Sequence, residues 1–329
     1  MIGTSFLSHD LSDINRELLM VEAELAGQMQ SEVELVQRVC QHTQEAGGKR
    51  LRPALVYLSA MATGLPVNAE RVRRLGACME MIHMATLIHD DVIDHAATRR
   101  GVSTAAAEFG NTAAILSGDV LLAKAMAILA EDGDIAIIRK VAGIVVDLAQ
   151  GEVHELQIRG KFELTREEHF EILRRKTATF IQCCCEVGAM VAGAPESTFQ
   201  ALGRFGFHIG MAFQLADDLL DYRGSTKNTG KARAGDFREG CATLPLILLR
   251  EHLTPEEAKY LASKFGNGVT DADIDLMTSW MKERGAYSRA EELAVEHGNS
   301  ALSALADLPE SSERTLLGQV AGFVIGREG

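Results

Sequence analysis

The sequence predicts an all-α protein, a single domain over residues 1–329 with about ten or more helices packed around a common core. Three observations predict it. Apolar residues recur at spacings of three and four through long segments such as GDIAIIRKVAGIVVDLAQGEVHELQI. Two further segments, LTREEHFEIL and LTPEEAKYL, open on a threonine with a glutamate three residues later, the pattern of a capping box, and the second adds Pro255 at its first helical position. No pair of β-branched runs is joined by a two-residue turn, and no GxGxxG follows a strand. Hydrophobic residues make up 47% and charged residues 24%, an ordinary globular composition.

The N-terminal MIGTSFLSHDLSDINREL has neither a basic n-region nor an apolar h-region, so no signal peptide is expected. No uninterrupted apolar run reaches the roughly 18 residues that a transmembrane segment needs. The net charge of −13, from 33 Lys+Arg against 46 Asp+Glu, argues against non-specific binding to nucleic acid or to an anionic membrane. A polyanionic substrate stays compatible with it, because carboxylates and phosphates can share a cation. The run Cys183, Cys184, Cys185 has neither disulfide nor zinc-site spacing. It reads as small buried helix residues in a reducing compartment, the cytoplasm.

Along the chain, GGKRLRP comes first. It puts Lys49, Arg50 and Arg52 behind two glycines, as an exposed basic turn or an anion site. Next is LIHDDVIDHAATRRG, where Asp90, Asp91 and Asp94 crowd one helix before Arg99 and Arg100. Like charges four apart repel on a helix, so another role must offset the repulsion. His83 lies two turns upstream. LTREEHFEILRRKTATFIQCCCEVGAMVAGAP follows as one long helical pattern containing Lys176. Then FQLADDLLDYRG repeats the acidic spacing with Asp217, Asp218 and Asp221, again followed by an arginine, Arg223. Positions i and i+4 lie about 40° apart on a helix, so Asp90 shares a face with Asp94, and Asp217 with Asp221. Two such helices facing each other would present carboxylate walls suited to Mg²⁺, which takes one or two carboxylates and completes its octahedron with substrate phosphate oxygens and water. The glycine-rich, charged stretch YRGSTKNTGKARAGDFREG, with Lys231, reads as an active-site loop.

With GGKRLRP, HDDVIDHAATRRG, GDVLLAKA, KTATF, FQLADDLLDYRG, GK and EGCATLPL in this order, the chain resembles the trans-isoprenyl diphosphate synthases (polyprenyl synthetases) from about residue 20 to the C-terminus. The resemblance implies the isoprenoid synthase fold around a central cavity, a homodimer, and head-to-tail condensation of isopentenyl diphosphate with an allylic diphosphate. It implies that Lys49, Arg52, His83 and Arg100 hold isopentenyl diphosphate, and that Arg99, Lys176, Thr177, Gln214 and Lys231 hold the allylic diphosphate. Asp90, Asp94 and Asp217 would ligate about three Mg²⁺ ions together with the diphosphate. Asp91, Asp218 and Asp221 would support them, and the six aspartates with Lys176 and Lys231 form the implied catalytic set. The chain departs from the family at Cys241, where a lysine is usual, and at Ala234 and Gly235.

Short-chain members place bulky aromatics one turn before the first acidic motif. Here Ala85 and Thr86 stand there, with Met81, Ile82 and Cys78 behind. The resemblance is therefore to enzymes making long all-trans chains of about six to ten isoprene units for quinone tails, each buried CH₂ being worth about 0.8 kcal/mol in an apolar channel. A transient membrane contact for product release accompanies that expectation. Three alternatives compete: a short-chain (farnesyl or geranylgeranyl) synthase, a non-catalytic subunit of a heteromeric synthase, and a terpene cyclase. Cyclases line their cavities with aromatics, which make up only 5% here. A non-catalytic subunit would be expected to lose aspartates from one motif, and both motifs are intact.

Overall fold

The computed structural model describes residues 12–223 and 233–326, which are helical almost throughout. Two compact units make up the chain. The first comprises Met1–Val145, Cys183–Gly203 and Asp307–Val320, the second Val146–Gln182, Arg204–Ala306 and Ala321–Gly329.

In the first unit the helices are α1 (Ser12–Gln28), α2 (Glu34–Glu45), α3 (Leu51–Met61), α4 (Ala69–Ile93), α5 (Ala105–Phe109) and α6 (Asn111–Asp132). α4 is its axis and packs on α6, α3 and α1. Asn68 starts it, its side chain accepting from the backbone N–H groups of Glu70 and Arg71, as an N-cap should. The face of α4 toward α6 is close-packed. Cys78 Sγ donates to the Ala125 carbonyl at 3.4 Å. A Cβ on Gly118 would lie 2.4 Å from His89 Nε2, so the glycine is what lets the imidazole lie against α6.

Helix α7 (Ile135–Ile158) is followed by α8 (Arg166–Leu173), a π-helical turn over Arg174–Ala178, α9 (Thr179–Val191) and α10 (Glu196–Arg223). Beyond them lie α11 (Gly235–Glu239), α12 (Leu244–Arg250), α13 (Pro255–Lys264), α14 (Asp271–Glu283), α15 (Ala286–Ala304) and α16 (Ser312–Ile325). The apolar helix α12 lies at the heart of the second unit, against α15, α14 and α8. Its core includes Phe162, Phe237, Leu244, Leu248 and Met277. The capping boxes at Thr165/Glu168 and Thr254/Glu257 form as expected, and Thr270/Asp273 adds a third.

Three expectations need correction, and one open alternative is decided. The long pattern after Thr165 is not one continuous α-helix, because the turn at Arg174–Ala178 widens to π geometry. Thr179 bonds back to the Arg174 carbonyl through its backbone N–H and, at 3.0 Å, through its hydroxyl. A small hairpin, β1 (Thr98–Arg99) with β2 (Val102–Ser103), is present. Two-residue strands are too short to show alternation, and the turn uses Arg100 and Gly101 at positive φ (54° and 79°). Of the two alternatives for the basic motif, the exposed turn is excluded for Arg50, which is 5% exposed. Finally, α6 is by length and composition apolar enough to cross a membrane. Asp119 and Lys124 interrupt its apolar run, which is why run length alone missed it, and its buried stripe from Ala114 to Leu129 packs on α4. The cysteines behave as expected: Cys183, Cys184 and Cys185 are all fully buried and free.

Candidate active site

In the first unit, one stripe of α4 carries Glu80, His83, Asp90, Asp91 and Asp94 within about 100° of arc. The helix ends there because His95 turns to positive φ (51°) and the Ala96 N–H reaches back to the Asp91 carbonyl at 3.0 Å. The three aspartates then diverge. Asp91 is 5% exposed and accepts from Arg99 Nε at 2.8 Å. Burial pushes its carboxyl above the usual range, with Arg99 opposing. Asp90 is half-buried and Asp94 exposed.

The β1–β2 hairpin returns Arg100 toward the glycine loop, where its guanidinium donates to the Gly47 carbonyl. A Cβ on Gly48 would lie 3.0 Å from Arg50 Nη1 and 3.2 Å from Arg100 Nη1, so the glycine lets both arginines close over it. His83 is held well below its ordinary pKa by burial and then by Arg52, Arg100, Arg99 and Arg50. It is neutral at pH 7 and offers hydrogen bonds rather than charge. Lys49 is exposed and Arg52 half-buried. The structure thus gathers Arg52, His83, Arg99 and Arg100 around the upper end of α4.

In the second unit the wide turn is gripped from two sides. A Cβ on Gly151 of α7 would lie 2.9 Å from Arg175 Cβ, and one on Gly210 of α10 would lie 2.5 Å from Ala178 Cα. Gln214 and Asp217 follow Gly210 by one and two turns on the same face of α10. Lys176, Thr177, Gln214 and Asp217 are therefore on adjoining elements. Lys176 lies 2.7 Å from Glu152 and also pairs with Glu155. Burial works against its charge, but the two glutamates outweigh burial and raise its pKa.

The second acidic triple divides like the first. Asp218 is buried and bonds to His169 Nε2 of α8 at 2.8 Å. Asp217 is half-buried. Asp221 accepts the N–H groups of Gly235 and Asp236, both at 3.1 Å, which folds the chain beyond 232 back against α10. Burial, then Asp221 and Asp218, raise the Asp236 carboxyl well above its ordinary pKa. Cys241 is half-buried, its thiol pushed up to about 12 by burial, Glu155 and Asp236. Lys231 lies outside the described residues.

Ala85 is 2% exposed and shares its stripe of α4 with Cys78 and Met81. Thr86 is half-buried and bonds back to the His83 carbonyl at 2.8 Å. Sequence reasoning missed Glu152, Glu155, His169, Asp236, Glu22 and Glu80. One signal was available, since Gly151 in QGEVHE sets Glu152 and Glu155 three apart on one helix face.

The metal expectation falls on carboxylates of each unit taken separately, Asp90 and Asp94 in the first and Asp217 in the second. Among the described residues no group of three or more His, Cys, Asp or Glu forms a self-contained metal cage. Carboxylate oxygens of this kind suit a hard cation that completes its shell with diphosphate and water.

Comparison with known proteins bears on these arrangements. Residues 33–279 match the polyprenyl synthetase family. The chain is 34% identical over 324 residues to heptaprenyl diphosphate synthase component 2 of Geobacillus stearothermophilus, covering 98% of each chain. Among solved structures, a decaprenyl diphosphate synthase from Rhodobacter capsulatus superposes with TM-score 0.91 at 33% identity, covering 96% of this chain and 98% of that one. A polyprenyl synthase from Caulobacter crescentus, complexed with calcium and isoprenyl diphosphate, gives 0.90 at 34% identity with 97% of each covered. The chain belongs to the polyprenyl synthetase family and is a prenyltransferase.

Proposed function

We propose that the chain is an all-trans-polyprenyl diphosphate synthase. It condenses isopentenyl diphosphate head-to-tail with an allylic primer to give a long prenyl diphosphate, used for quinone side chains. The observation that carries this reading is the paired division of the acidic motifs. Each buries one aspartate against a partner, Asp91 against Arg99 and Asp218 against His169, while Asp90 and Asp217 stay half-buried and Asp94 exposed. The long product is supported by Ala85 in place of a bulky floor and by relatives named for heptaprenyl and decaprenyl products.

In this mechanism Asp90, Asp94 and Asp217 would hold Mg²⁺, which when bound neutralises charge on the departing diphosphate. Lys176, Thr177, Gln214, Arg99 and Lys231 bind the allylic diphosphate, and Lys49, Arg52, His83 and Arg100 bind isopentenyl diphosphate. Asp91 and Asp218 keep their motifs in place through their own ion pairs. The allylic C–O bond breaks, the isopentenyl double bond attacks the resulting cation, and a proton leaves to the released diphosphate. No serine, cysteine or lysine nucleophile is needed; positioning and electrostatics supply the rate.

A homodimer is part of the proposal. α6 exposes Leu116, Ala123 and Ala127 along one face, and α7 exposes Val146, Val153 and Leu156 along one of its own. Such apolar stripes mark protein contacts. The reduced, buried cysteines support a cytoplasmic location. A heteromeric assembly is favoured by one observation, the relative named component 2.

The decisive experiment incubates the purified chain with labelled isopentenyl diphosphate, each allylic primer in turn and Mg²⁺, then separates the dephosphorylated products by length. A heptaprenyl-to-decaprenyl product is expected. Farnesyl or geranylgeranyl products alone would overturn the long-chain reading, and product only on adding a second subunit would establish the heteromeric one.

Cys241→Lys is expected to lower the allylic Michaelis constant about tenfold with little change for isopentenyl diphosphate, since a charge-assisted contact to phosphate is worth about 1.5–3 kcal/mol. Glu155, Asp236 and Glu239 act on this position, so an ammonium can be accommodated. Arg233 is engaged with Asp275, and Lys227 lies outside the described residues. An unchanged constant in steady-state kinetics would mean that another cation already does this work.

A further inference from the structure

Arg50 stands between two of the residues assigned to isopentenyl diphosphate, Lys49 and Arg52, and is the most deeply held of the three. It is the N-cap of α3 with φ 50° and ψ 39°, a left-handed conformation that an arginine adopts only when its surroundings enforce it. Its side chain is 5% exposed. Nε donates to Glu22 Oε1, and Nη2 donates to Glu22 Oε2 and to the Gln44 carbonyl, both at 3.3 Å. Nη1 donates to Glu80 Oε1 at 3.1 Å. Gln44 steadies Glu22 from behind, its Nε2 donating to Oε2 at 2.9 Å. The guanidinium fork is thus spread over two carboxylates from two helices, α1 and α4, and it lies over Gly48. Glu80 is 4% exposed, and its second oxygen has no hydrogen-bond partner. Its charge acts on Arg50, Arg52 and Arg100.

We propose that Arg50 is a positioning residue, clamped between Glu22 and Glu80, that fixes the glycine loop so that Lys49 and Arg52 meet isopentenyl diphosphate without Arg50 touching it. α1 is thereby part of the apparatus that sets affinity for that substrate. A guanidinium whose donors are already directed at carboxylates gains little from an incoming phosphate. Its neighbours Lys49 and Arg52 gain from being held still. The inference rests on the proposed isopentenyl site and concerns how that site is shaped.

Glu22→Gln separates this from direct binding, because the two roles predict opposite signs. If Arg50 positions the loop, loosening its clamp should raise the Michaelis constant for isopentenyl diphosphate about tenfold. The turnover number at saturation and the allylic constant should stay within about twofold, and Glu22→Asp should restore part of the loss. In Arg50→Gln, adding Glu22→Gln should bring no further rise. If Arg50 is itself a ligand, removing Glu22 frees its charge, and the constant should fall or stay unchanged; that result overturns the proposal. Should Glu22→Gln not fold, Gln44→Ala, which removes only the support behind Glu22, should raise the same constant in the same direction by about threefold, and no change there would overturn the proposal equally. A wild-type chain that makes no prenyl product would instead refute the proposed function and is read separately.

Discussion

Asp90→Ala and Asp217→Ala are each expected to slow condensation by at least about a hundredfold, equivalent to about 3 kcal/mol of transition-state stabilisation. Each removes a carboxylate that the fold leaves accessible, half-buried near the C-terminal end of a long helix. The contrast is Asp218→Ala, whose partner His169 is 3% exposed and would lose its acceptor at 2.8 Å. Leaving a buried polar group unmatched costs about 1–3 kcal/mol, so this variant should show a lowered melting temperature as well as lowered activity. Steady-state rates and thermal melts on the same preparations check both. Near-wild-type turnover in Asp90→Ala or Asp217→Ala would refute the claim that both motifs act in the ionisation step. Removing divalent metal with a chelator should abolish activity in the wild type, and restoring Mg²⁺ should return it.

Ala85→Phe is expected to shorten the product to about three or four isoprene units while the first condensation stays nearly as fast. The tail of the growing chain is apolar and belongs in an apolar channel, with about 0.8 kcal/mol for each buried CH₂. Ala85 lies one turn below Asp90 on the stripe with Cys78 and Met81, all three 2% exposed or less. A phenyl ring there has no room to spare, and overpacking costs about 1–3 kcal/mol. A tail that meets this obstruction avoids it by leaving. Chromatography of dephosphorylated products decides the matter, with a thermal melt to show that the variant is folded. An undiminished long product from a folded variant would place the tail elsewhere.

Sequence pattern exposed the helices and their starts because periodicity and capping are local. Thr165 and Thr254 could be read as caps from four residues each, and both bond as expected. The duplicated acidic spacing was equally plain. What the pattern could not distinguish was which aspartate of each triple turns inward. That depends on Arg99 returning through a hairpin and on His169 approaching from another helix, both tertiary facts. The same holds for Lys176. Its cationic character was visible, but the two glutamates that hold it come from α7, more than twenty positions earlier. For Arg50 the sequence left two alternatives open, because its burial against Glu22 and Glu80 is likewise a tertiary fact.

The wide turn at Arg174–Ala178 makes the chain unusually tolerant of a change in length there. A π turn completes its circle with one residue more than an α turn. Deleting a single residue lets it tighten to α geometry, and the helix on either side keeps its phase. A deletion within a regular α-helix instead shifts the phase by about 100°. What the shortened turn loses is local, the fit of Lys176 to Glu152 and Glu155 and of Ala178 to Gly210. Gene libraries that sample single-codon deletions across this region should therefore leave more folded chains at these five positions than in the α-helical turns on either side, with lowered activity in the chains that fold.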